Sequence, residues 1–221
     1  MDWVIAVPLK SQGSRKTRLS SRLSEAERDR LTELMFRRVL DVLAGIPDVT
    51  ALPVCEERPR GWHGAWHRDS GGGLNAALSS AREACRDINF AVIHADLPYL
   101  EAADVEALLT AAHAGCAIAP DRGTVGTNGV AMVQGVTPNF VFGPESFVRF
   151  TAQDGLPKAI VTRPGLANDL DTPEDYDAWL ATSPPSSRIV RNRIKARCGS
   201  IRTAPGLPAV TSADHRRISD N

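Results

Sequence analysis

Three aspartates in two short segments have the chemistry of a divalent-cation site. Asp96 follows an apolar run at residues 90–93, and Pro98, which cannot donate to a sheet ladder, ends that predicted strand nearby. Ligands of open α/β sheets bind at the carboxyl ends of the strands, where Asp96 is expected to lie. Asp169 and Asp171 are two residues apart, so on an extended segment their side chains point the same way. Carboxylates in this setting suit Mg²⁺, which indicates phosphate chemistry.

Both segments also admit a purely structural interpretation. Asp96 can cap the helix that is expected to start near Ala102, and Asp171 or Thr172 can cap the last predicted helix. For the second segment the two interpretations are compatible, because Asp169 remains available to a cation even if Asp171 caps the helix.

A basic loop follows the first predicted strand, at the same predicted edge of the sheet as Asp96. Its cationic side chains are Lys10, Arg15, Lys16 and Arg18. Four cations beside a backbone turn suit a polyphosphate, and a solvated charged loop is the alternative interpretation. The loop has no Gly-Lys-Ser/Thr sequence, which argues against a P-loop kinase.

Three further loops contain small residues that can approach a ligand closely. The glycines at residues 71–73 precede a predicted helix, and Asn75 has a carboxamide that can contact a base edge. A flexible hinge is the alternative there. The other two loops contain Thr127 and the run from Gly143 to Ser146. A helix start at Ser146 can accept an anion through its backbone N–H groups, or can be an ordinary cap without a ligand.

Alternating strands and helices must position these residues. Strands are predicted at residues 3–8, 49–54, 116–119, 129–133 and 160–162, and in the run that ends at Asp96. Helices are predicted from the N-cap Ser24 to Gly45, and at residues 74–84, 102–112, 147–153 and 173–180, with a loop at 56–73. Ser24 and Glu27 have the spacing of a capping box. The alternation favours an α/β fold with a largely parallel sheet and right-handed crossovers.

The composition is that of a globular chain with a basic end. Of the 221 residues, 43% are hydrophobic and 24% charged, and the formal net charge is zero. Residues 183–221 hold eight basic and two acidic residues, so this tail carries +6 and residues 1–182 carry −6. The Ser-Pro-Pro-Ser-Ser run that begins at Ser183 predicts a boundary between a domain at residues 1–182 and a basic, disordered tail at 183–221.

Cysteine spacing and hydropathy predict a cytoplasmic protein. The cysteines Cys55, Cys85, Cys116 and Cys198 are scattered without metal-binding spacing, which fits a reducing compartment. No signal peptide is expected at the N-terminus, and no apolar run approaches the roughly 20 residues needed to cross a bilayer. His63 and His67 lie in a tryptophan-rich loop and are not expected to bind a metal.

Eight short motifs follow one another between Trp3 and Leu180. They are Pro8-x-Lys10, Lys16-Thr17-Arg18-Leu19-Ser20, Gly72-Gly73-Leu74-Asn75-Ala76-Ala77-Leu78, Ala95-Asp96-Leu97-Pro98, Ala119-Pro120-Asp121, Gly126-Thr127-Asn128, Phe142-Gly143-Pro144-x-Ser146-Phe147 and Asp169-Leu170-Asp171-Thr172-Pro173-Glu174-Asp175. In this order they resemble the 2-phospho-L-lactate and phosphoenolpyruvate guanylyltransferases of deazaflavin coenzyme (coenzyme F-420) biosynthesis. The resemblance implies an α/β, nucleotide-diphospho-sugar transferase-like (GT-A) single domain with a mostly parallel central sheet. It also implies transfer of GMP from GTP to the phosphate of a small phosphorylated carboxylic acid, with release of pyrophosphate.

The same resemblance implies roles for individual residues. The metal ligands fall on Asp96, Asp169 and Asp171, with two Mg²⁺ ions expected, and the acceptor-phosphate contacts fall on Thr127, Gly143 and Ser146. Catalytic roles fall on Asp96, Lys10, Lys16 and Arg18, with the cations facing the GTP phosphates, and nucleotide contacts on Pro8, Lys10, Lys16, Gly73 and Asn75. The chain departs from the family pattern at residues 56–70, because this segment is shorter than is usual in the family.

The expected partners are the small-molecule substrates GTP and a phosphorylated acid, with phosphoenolpyruvate, 2-phospho-L-lactate and 3-phosphoglycerate all open as acceptors. Neither a membrane nor a nucleic acid is expected to bind, and a homodimer is compatible with the family. Two alternatives are a GT-A nucleotidyltransferase acting on a sugar phosphate or a molybdopterin, and a catalytically silent nucleotide-binding protein.

Overall fold

A seven-stranded sheet forms the centre of the computed structural model, which describes residues 2–9, 16–155 and 157–182. The strands are β1 (Trp3–Pro8), β2 (Val49–Cys55), β3 (His67–Arg68), β4 (Asn89–Ile93), β5 (Cys116–Pro120), β6 (Thr127–Met132) and β7 (Lys158–Ile160). They lie in the order β3-β2-β1-β4-β6-β5-β7. Only β6 runs antiparallel to its neighbours among the pairs in this sheet, so the prediction of a mostly parallel sheet is confirmed.

Six α-helices connect or follow the strands. They are α1 (Glu25–Ala44), α2 (Leu74–Ala84), α3 (Ala102–Ala111), α4 (Ser146–Thr151), α5 (Pro164–Ala167) and α6 (Pro173–Thr182), with short 3-10 helices at Thr17–Ser21 and Ala112–Ala114. The predicted capping box is present, because the Glu27 carboxylate accepts a hydrogen bond from the backbone N–H of Ser24 at 2.8 Å. The short strand β3 lies inside the segment predicted to be a loop, and α5 was not predicted.

Successive residues of the central strands pack against opposite faces of the sheet. In β1, Ile5 belongs to a core cluster with Phe36 of α1 and Leu108 of α3, whereas Ala6 belongs to a second cluster with Leu78 of α2. This sheet, covered on both faces, explains the near-continuous apolar strands. A third cluster, which includes Leu19, Leu31, Leu170 and Trp179, packs α6 against α1.

The strand directions bring several of the candidate segments to one edge of the sheet. Strands β1, β2, β4, β5 and β7 run the same way and therefore end at this edge. Strand β6 runs in the opposite direction and begins there with Thr127. Pro8 is the last residue of β1, and Asp96 follows the end of β4. The turn that contains Asp169 follows β7 and α5, and a backbone hydrogen bond from Leu170 to Asp96 places it at the same edge.

Two other sequence features have plain structural counterparts. Among the described residues, Cys55, Cys85 and Cys116 form no disulfide, and Cys198 lies outside that part of the chain. Burial raises the pKa of the Cys116 thiol to about 11, so this thiol is protonated at neutral pH. None of the helices in the described part of the chain is long and apolar enough to span a membrane.

Candidate active site

The structure brings together the three aspartates singled out in the sequence. Asp96, Asp169 and Asp171 each offer one carboxylate oxygen, and these oxygens lie within 4.8 Å of one another. A backbone hydrogen bond joins the two segments, because Leu170 donates its N–H to the Asp96 carbonyl at 3.0 Å. This bond fixes the turn of residues 169–171 against the end of β4.

The helix-capping interpretation of Asp96 is wrong. The N-cap of α3 is Glu101, whose backbone N–H donates to the Asp104 carboxylate at 3.1 Å. At the start of α6 the cap falls on Thr172, because Thr172 Oγ1 accepts the Asp175 N–H at 3.2 Å. The carboxylates of Asp96 and Asp171 are therefore not used for capping.

Crowding of negative charge shapes the ionisation of the cluster. Burial, reinforced by the nearby carboxylates of Asp96 and Asp171, raises the pKa of Asp169 to about 6. Burial also disfavours the charged form of Asp96, but the attraction of Lys16 outweighs it and the pKa of Asp96 is lowered. The cluster therefore holds ionised carboxylates at close range, an arrangement that a cation stabilises.

Lys16 supplies one such cation. Its Nζ lies 2.6 Å from Asp96 Oδ2 and 2.7 Å from Asp171 Oδ1, and its side chain is only 6% exposed. Although burial acts in the opposite direction, the two carboxylates raise the pKa of Lys16, which keeps the ammonium charged. The Lys16 backbone has φ 50°, a left-handed conformation that is unfavourable for a side-chain-bearing residue and is often found at functional sites.

Arg18 is the other basic residue of this loop that the structure describes. Arg18 lies at the rim of the cluster, with its Nη1 3.6 Å from Asp171 Oδ2 and its side chain 74% exposed. Pro8 is the last residue of β1. Lys10 lies outside the described residues, so its contact with phosphate stays a prediction.

Of the three residues predicted to contact the acceptor phosphate, Thr127 begins β6, Gly143 lies three residues before Ser146, and Ser146 begins α4. Thr127 is 2% exposed, and its hydroxyl has no hydrogen-bond partner among the described residues. Gly143 has φ 121° and Glu145 has φ 54°, so the backbone leading to Ser146 is left-handed at two positions. Ser146 donates its N–H to the Gly143 carbonyl at 3.1 Å and is buried. A buried hydroxyl without a partner favours an external acceptor such as a phosphate oxygen.

The carboxamide of Asn75, which was predicted to lie near the guanosine, binds the backbone of Phe142. The side-chain Nδ2 donates to the Phe142 carbonyl at 3.1 Å, and Oδ1 accepts the Phe142 N–H at 2.9 Å. The carboxamide is therefore engaged with the protein backbone. Gly73, by contrast, is the N-cap of α2 with φ 86°, and no described atom lies within 4 Å of the position its Cβ would take.

Sequence reasoning missed an ion pair that supports the turn at residues 169–171. Asp175 Oδ1 accepts a hydrogen bond from Arg122 Nη2 at 2.9 Å, and Oδ2 accepts the N–H groups of Thr172 and Asp171 at 2.9 and 3.2 Å. The Thr-x-x-Asp spacing signals the cap, but no local pattern indicates the contact with Arg122, which is 53 residues away.

A cleft of about 480 Å³ opens beside Asp169. Its charged lining comprises Glu101, Asp104, Arg122, Arg163, Asp169 and Asp175, in which acidic side chains outnumber basic ones. Asp104 is paired with Arg163 at 3.0 Å, and Asp175 with Arg122. The predicted acceptor-phosphate residues do not line this cleft.

The carboxylate cluster fits a divalent cation on three counts. Three oxygens converge from separate side chains, Asp96 Oδ1 is buried without a hydrogen-bond partner among the described residues, and the ligand atoms are hard oxygens. Such a site, bordered by Lys16, can hold phosphate groups between cations and donors.

Comparisons with known proteins point to one family. A family model described as guanylyl transferase CofC like matches residues 3–178. A phosphoenolpyruvate guanylyltransferase from Rubrobacter xylanophilus is 37% identical over 182 residues, covering 76% of this chain and 89% of the relative. A 2-phospho-L-lactate guanylyltransferase from Methanopyrus kandleri is 32% identical over 194 residues, covering 86% of this chain and 97% of the relative.

Solved structures support the fold. The crystal structure of a candidate nucleotide-diphospho-sugar transferase from Desulfovibrio desulfuricans G20 superposes with a TM-score of 0.66 at 16% sequence identity. The match covers 90% of this chain and 98% of that one. The predicted nucleotide-diphospho-sugar transferase-like fold is thereby confirmed.

Proposed function

Because the chain belongs to the guanylyl transferase CofC-like family and is a guanylyltransferase, we propose that it transfers GMP from GTP to the phosphate of phosphoenolpyruvate or 2-phospho-L-lactate. Pyrophosphate is the second product, and the reaction serves deazaflavin coenzyme biosynthesis. The observation that carries the proposal is the convergence of Asp96, Asp169 and Asp171 beside Lys16 at the edge of the sheet.

We assign the three aspartates as ligands of divalent cations, with two Mg²⁺ ions in the working enzyme. A bound divalent cation neutralises phosphate charge and polarises the phosphoryl oxygens of the substrates. The support for this assignment lies in the carboxylate geometry and in the raised pKa of Asp169, which reports crowded negative charge.

Lys16 links these carboxylates to the nucleotide. Its ammonium has three N–H donors, of which two are used by Asp96 and Asp171. We assign the third to a phosphate oxygen of GTP, with Arg18 at the rim and Lys10 of the same loop adding positive charge. Pro8 and Gly73 border the nucleotide, and the open backbone at Gly73 before α2 favours close approach of a phosphate or ribose.

Thr127, Gly143 and Ser146 hold the phosphate of the acceptor. In the reaction, an oxygen of this phosphate attacks the α-phosphorus of GTP and forms the new P–O bond. The bond between the α-phosphorus and the oxygen bridging to the β-phosphorus breaks, and its electrons leave with pyrophosphate. A phosphate monoester is largely dianionic near neutral pH, since its second pKa is about 6, so no strong general base is required. Positioning and charge cancellation by the chain's own residues supply the catalysis.

Product analysis of the full chain tests the proposal. The purified protein is incubated with Mg²⁺, GTP and, separately, phosphoenolpyruvate, 2-phospho-L-lactate or 3-phosphoglycerate, with ATP and CTP as alternative donors. We expect acceptor-dependent release of pyrophosphate and, by mass spectrometry, one GMP–acid adduct, with phosphoenolpyruvate or 2-phospho-L-lactate preferred. Absence of an adduct with every acid, despite intact GTP binding, would falsify the proposal. Preference for 3-phosphoglycerate would overturn the choice of acceptor alone.

A further inference from the structure

The amide of Asn75 binds the main chain of a segment far away in sequence. Asn75 lies in the first turn of α2, and Phe142 lies 67 residues later in a segment outside the helices and strands. One amide satisfies both the N–H and the carbonyl of Phe142, as a neighbouring strand would do. Partly buried backbone groups without such partners are unfavourable, so the amide fixes where this segment can lie.

The Phe142 side chain reinforces this attachment. It is 5% exposed and contacts the rings of His94 and Phe150, both at a centroid distance of 5.0 Å. The ring packs in the core cluster that also contains Leu78, one turn further along α2. Phe142 is therefore held by its backbone and its ring, and its main chain has little freedom to shift independently of α2.

The position of Phe142 determines the backbone that follows it. Gly143 is the next residue, with φ 121°, and its carbonyl accepts the Ser146 N–H at 3.1 Å. Gly143 and Ser146 are the residues that we assign to the acceptor phosphate. A displacement of Phe142 is transmitted directly to both of them.

We propose that Asn75 is a positioning residue for the acceptor-phosphate site, rather than a reader of the guanine base. The inference rests on the proposed function, because it takes the acceptor phosphate to lie at Gly143 and Ser146. Asn75 also follows Gly73, which borders the proposed nucleotide site, so α2 links the sites of the two substrates.

Steady-state kinetics of the full-length variants Asn75→Ala and Asn75→Asp test this role. Asn75→Ala removes both hydrogen bonds, whereas Asn75→Asp keeps the shape and the acceptor but places an oxygen against the Phe142 carbonyl. We expect the KM for the acid to rise roughly tenfold in both variants, since hydrogen bonds to partly buried groups are lost. The KM for GTP and the preference for GTP over ATP remain near the wild-type values.

Ser79→Ala is the matched control, because Ser79 lies one turn further along α2 and its hydroxyl donates only to the Asn75 backbone carbonyl. Thr127→Val is the reference for a direct loss at the acceptor site. A raised KM for GTP with an unchanged KM for the acid, or a collapse of the GTP preference, overturns the proposal in favour of base reading.

Folding is checked by thermal unfolding of each variant. Failure of both Asn75 variants to fold would assign Asn75 to the fold as a whole and overturn the proposal. The proposed function is judged separately, by whether wild-type protein forms the GMP–acid adduct. If the adduct forms while the Asn75 variants behave as wild type, only the positioning role fails.

Discussion

The two carboxylate oxygens of Asp96 have different surroundings. Oδ2 accepts a hydrogen bond from Lys16, whereas Oδ1 is buried without a partner among the described residues. We predict that Asp96→Asn folds but loses turnover by about a hundredfold or more, because a neutral amide binds a divalent cation much more weakly than a carboxylate does. Pyrophosphate release at saturating GTP and acceptor measures the loss.

Asp87, an exposed residue in the turn after α2, provides the control for charge removal. Asp87→Asn is expected to keep wild-type turnover, and circular dichroism compares the folding of both variants. Near-normal activity in Asp96→Asn would rule out the assignment of Asp96 as a metal ligand.

Lys16 occupies carboxylate oxygens that we assign to a metal ion, so its removal has two opposite consequences. In Lys16→Met, Asp96 and Asp171 lose a competing cation, and divalent-ion binding to the nucleotide-free protein tightens by roughly three- to tenfold. Turnover falls by about a hundredfold, because the variant also loses a donor to the GTP phosphates. Titration calorimetry with Mg²⁺ and steady-state kinetics measure the two effects separately.

Arg22→Met is the matched comparison for Lys16→Met. The substitution Arg22→Met also removes one positive charge. The Arg22 guanidinium pairs with Asp177 at 3.0 Å, outside the carboxylate cluster. Its divalent-ion affinity is expected to stay close to that of the wild type. Weaker metal binding in Lys16→Met would mean that Lys16 orders the carboxylates and does not compete for them.

At the scale of elements, the start of α6 holds the turn at residues 169–171 in place. Asp175 is 9% exposed at its side chain and joins Arg122, from the loop after β5, to the backbone of Asp171 and Thr172. We predict that Asp175→Asn lowers the free energy of unfolding by about 1–2 kcal/mol, because the ion pair with Arg122 is lost and the N–H groups of Thr172 and Asp171 lose a charged acceptor. The Mg²⁺ concentration for half-maximal activity rises several-fold, because Asp171 is less well fixed.

Thermal unfolding and a Mg²⁺ titration of activity measure these two changes. Asp177→Asn serves as control, since Asp177 lies on the same helix, is about half exposed and pairs only with Arg22 among the ion pairs of the described residues. An unchanged Mg²⁺ requirement in Asp175→Asn, together with reduced stability, would confine Asp175 to capping.

Local chemistry explains which elements were predictable from sequence. Ser24 and Glu27 form their capping box within four residues, and helix α2 was predicted with the bounds that it has, starting directly after Gly73. Strand β6 was expected at residues 129–133 and is observed at Thr127–Met132, but its antiparallel direction is set by pairing with β4 and β5. Strand direction is a tertiary property that hydrophobic periodicity does not record.

The same distinction applies to the candidate site. The strand before Asp96, the spacing of Asp169 and Asp171, and the family resemblance predicted a shared cation site, and the structure brings the three carboxylates together. The contacts of Lys16 with Asp96 and of Asn75 with Phe142 join residues 80 and 67 positions apart. Such contacts depend on how packed elements meet, so no local pattern could indicate them.

At the scale of the whole molecule, the change of charge after residue 182 lies close to the end of the family match. Residues 1–182 carry −6 and hold all seven strands and the carboxylate cluster, and the family match ends at residue 178. Residues 183–221 carry +6 and lie outside the described residues. Helix α6 belongs to the first part, because Tyr176 and Trp179 are buried in the cluster that contains Leu170.

We therefore predict that a chain ending at Thr182 keeps the fold and its kcat/KM for GTP and acceptor within about twofold, because the core clusters and the carboxylate cluster of the described residues are retained. A chain ending at Thr172 is the matched comparison. It loses the buried rings of Tyr176 and Trp179, each worth roughly 3–5 kcal/mol when truncated in a core, and is expected to be unfolded. Thermal unfolding and GTP-dependent pyrophosphate release compare both chains with the full-length protein. A strong loss of acceptor turnover in the folded 1–182 chain would place residues of the basic tail in the catalytic cycle, since the carboxylates and Lys16 would be unchanged.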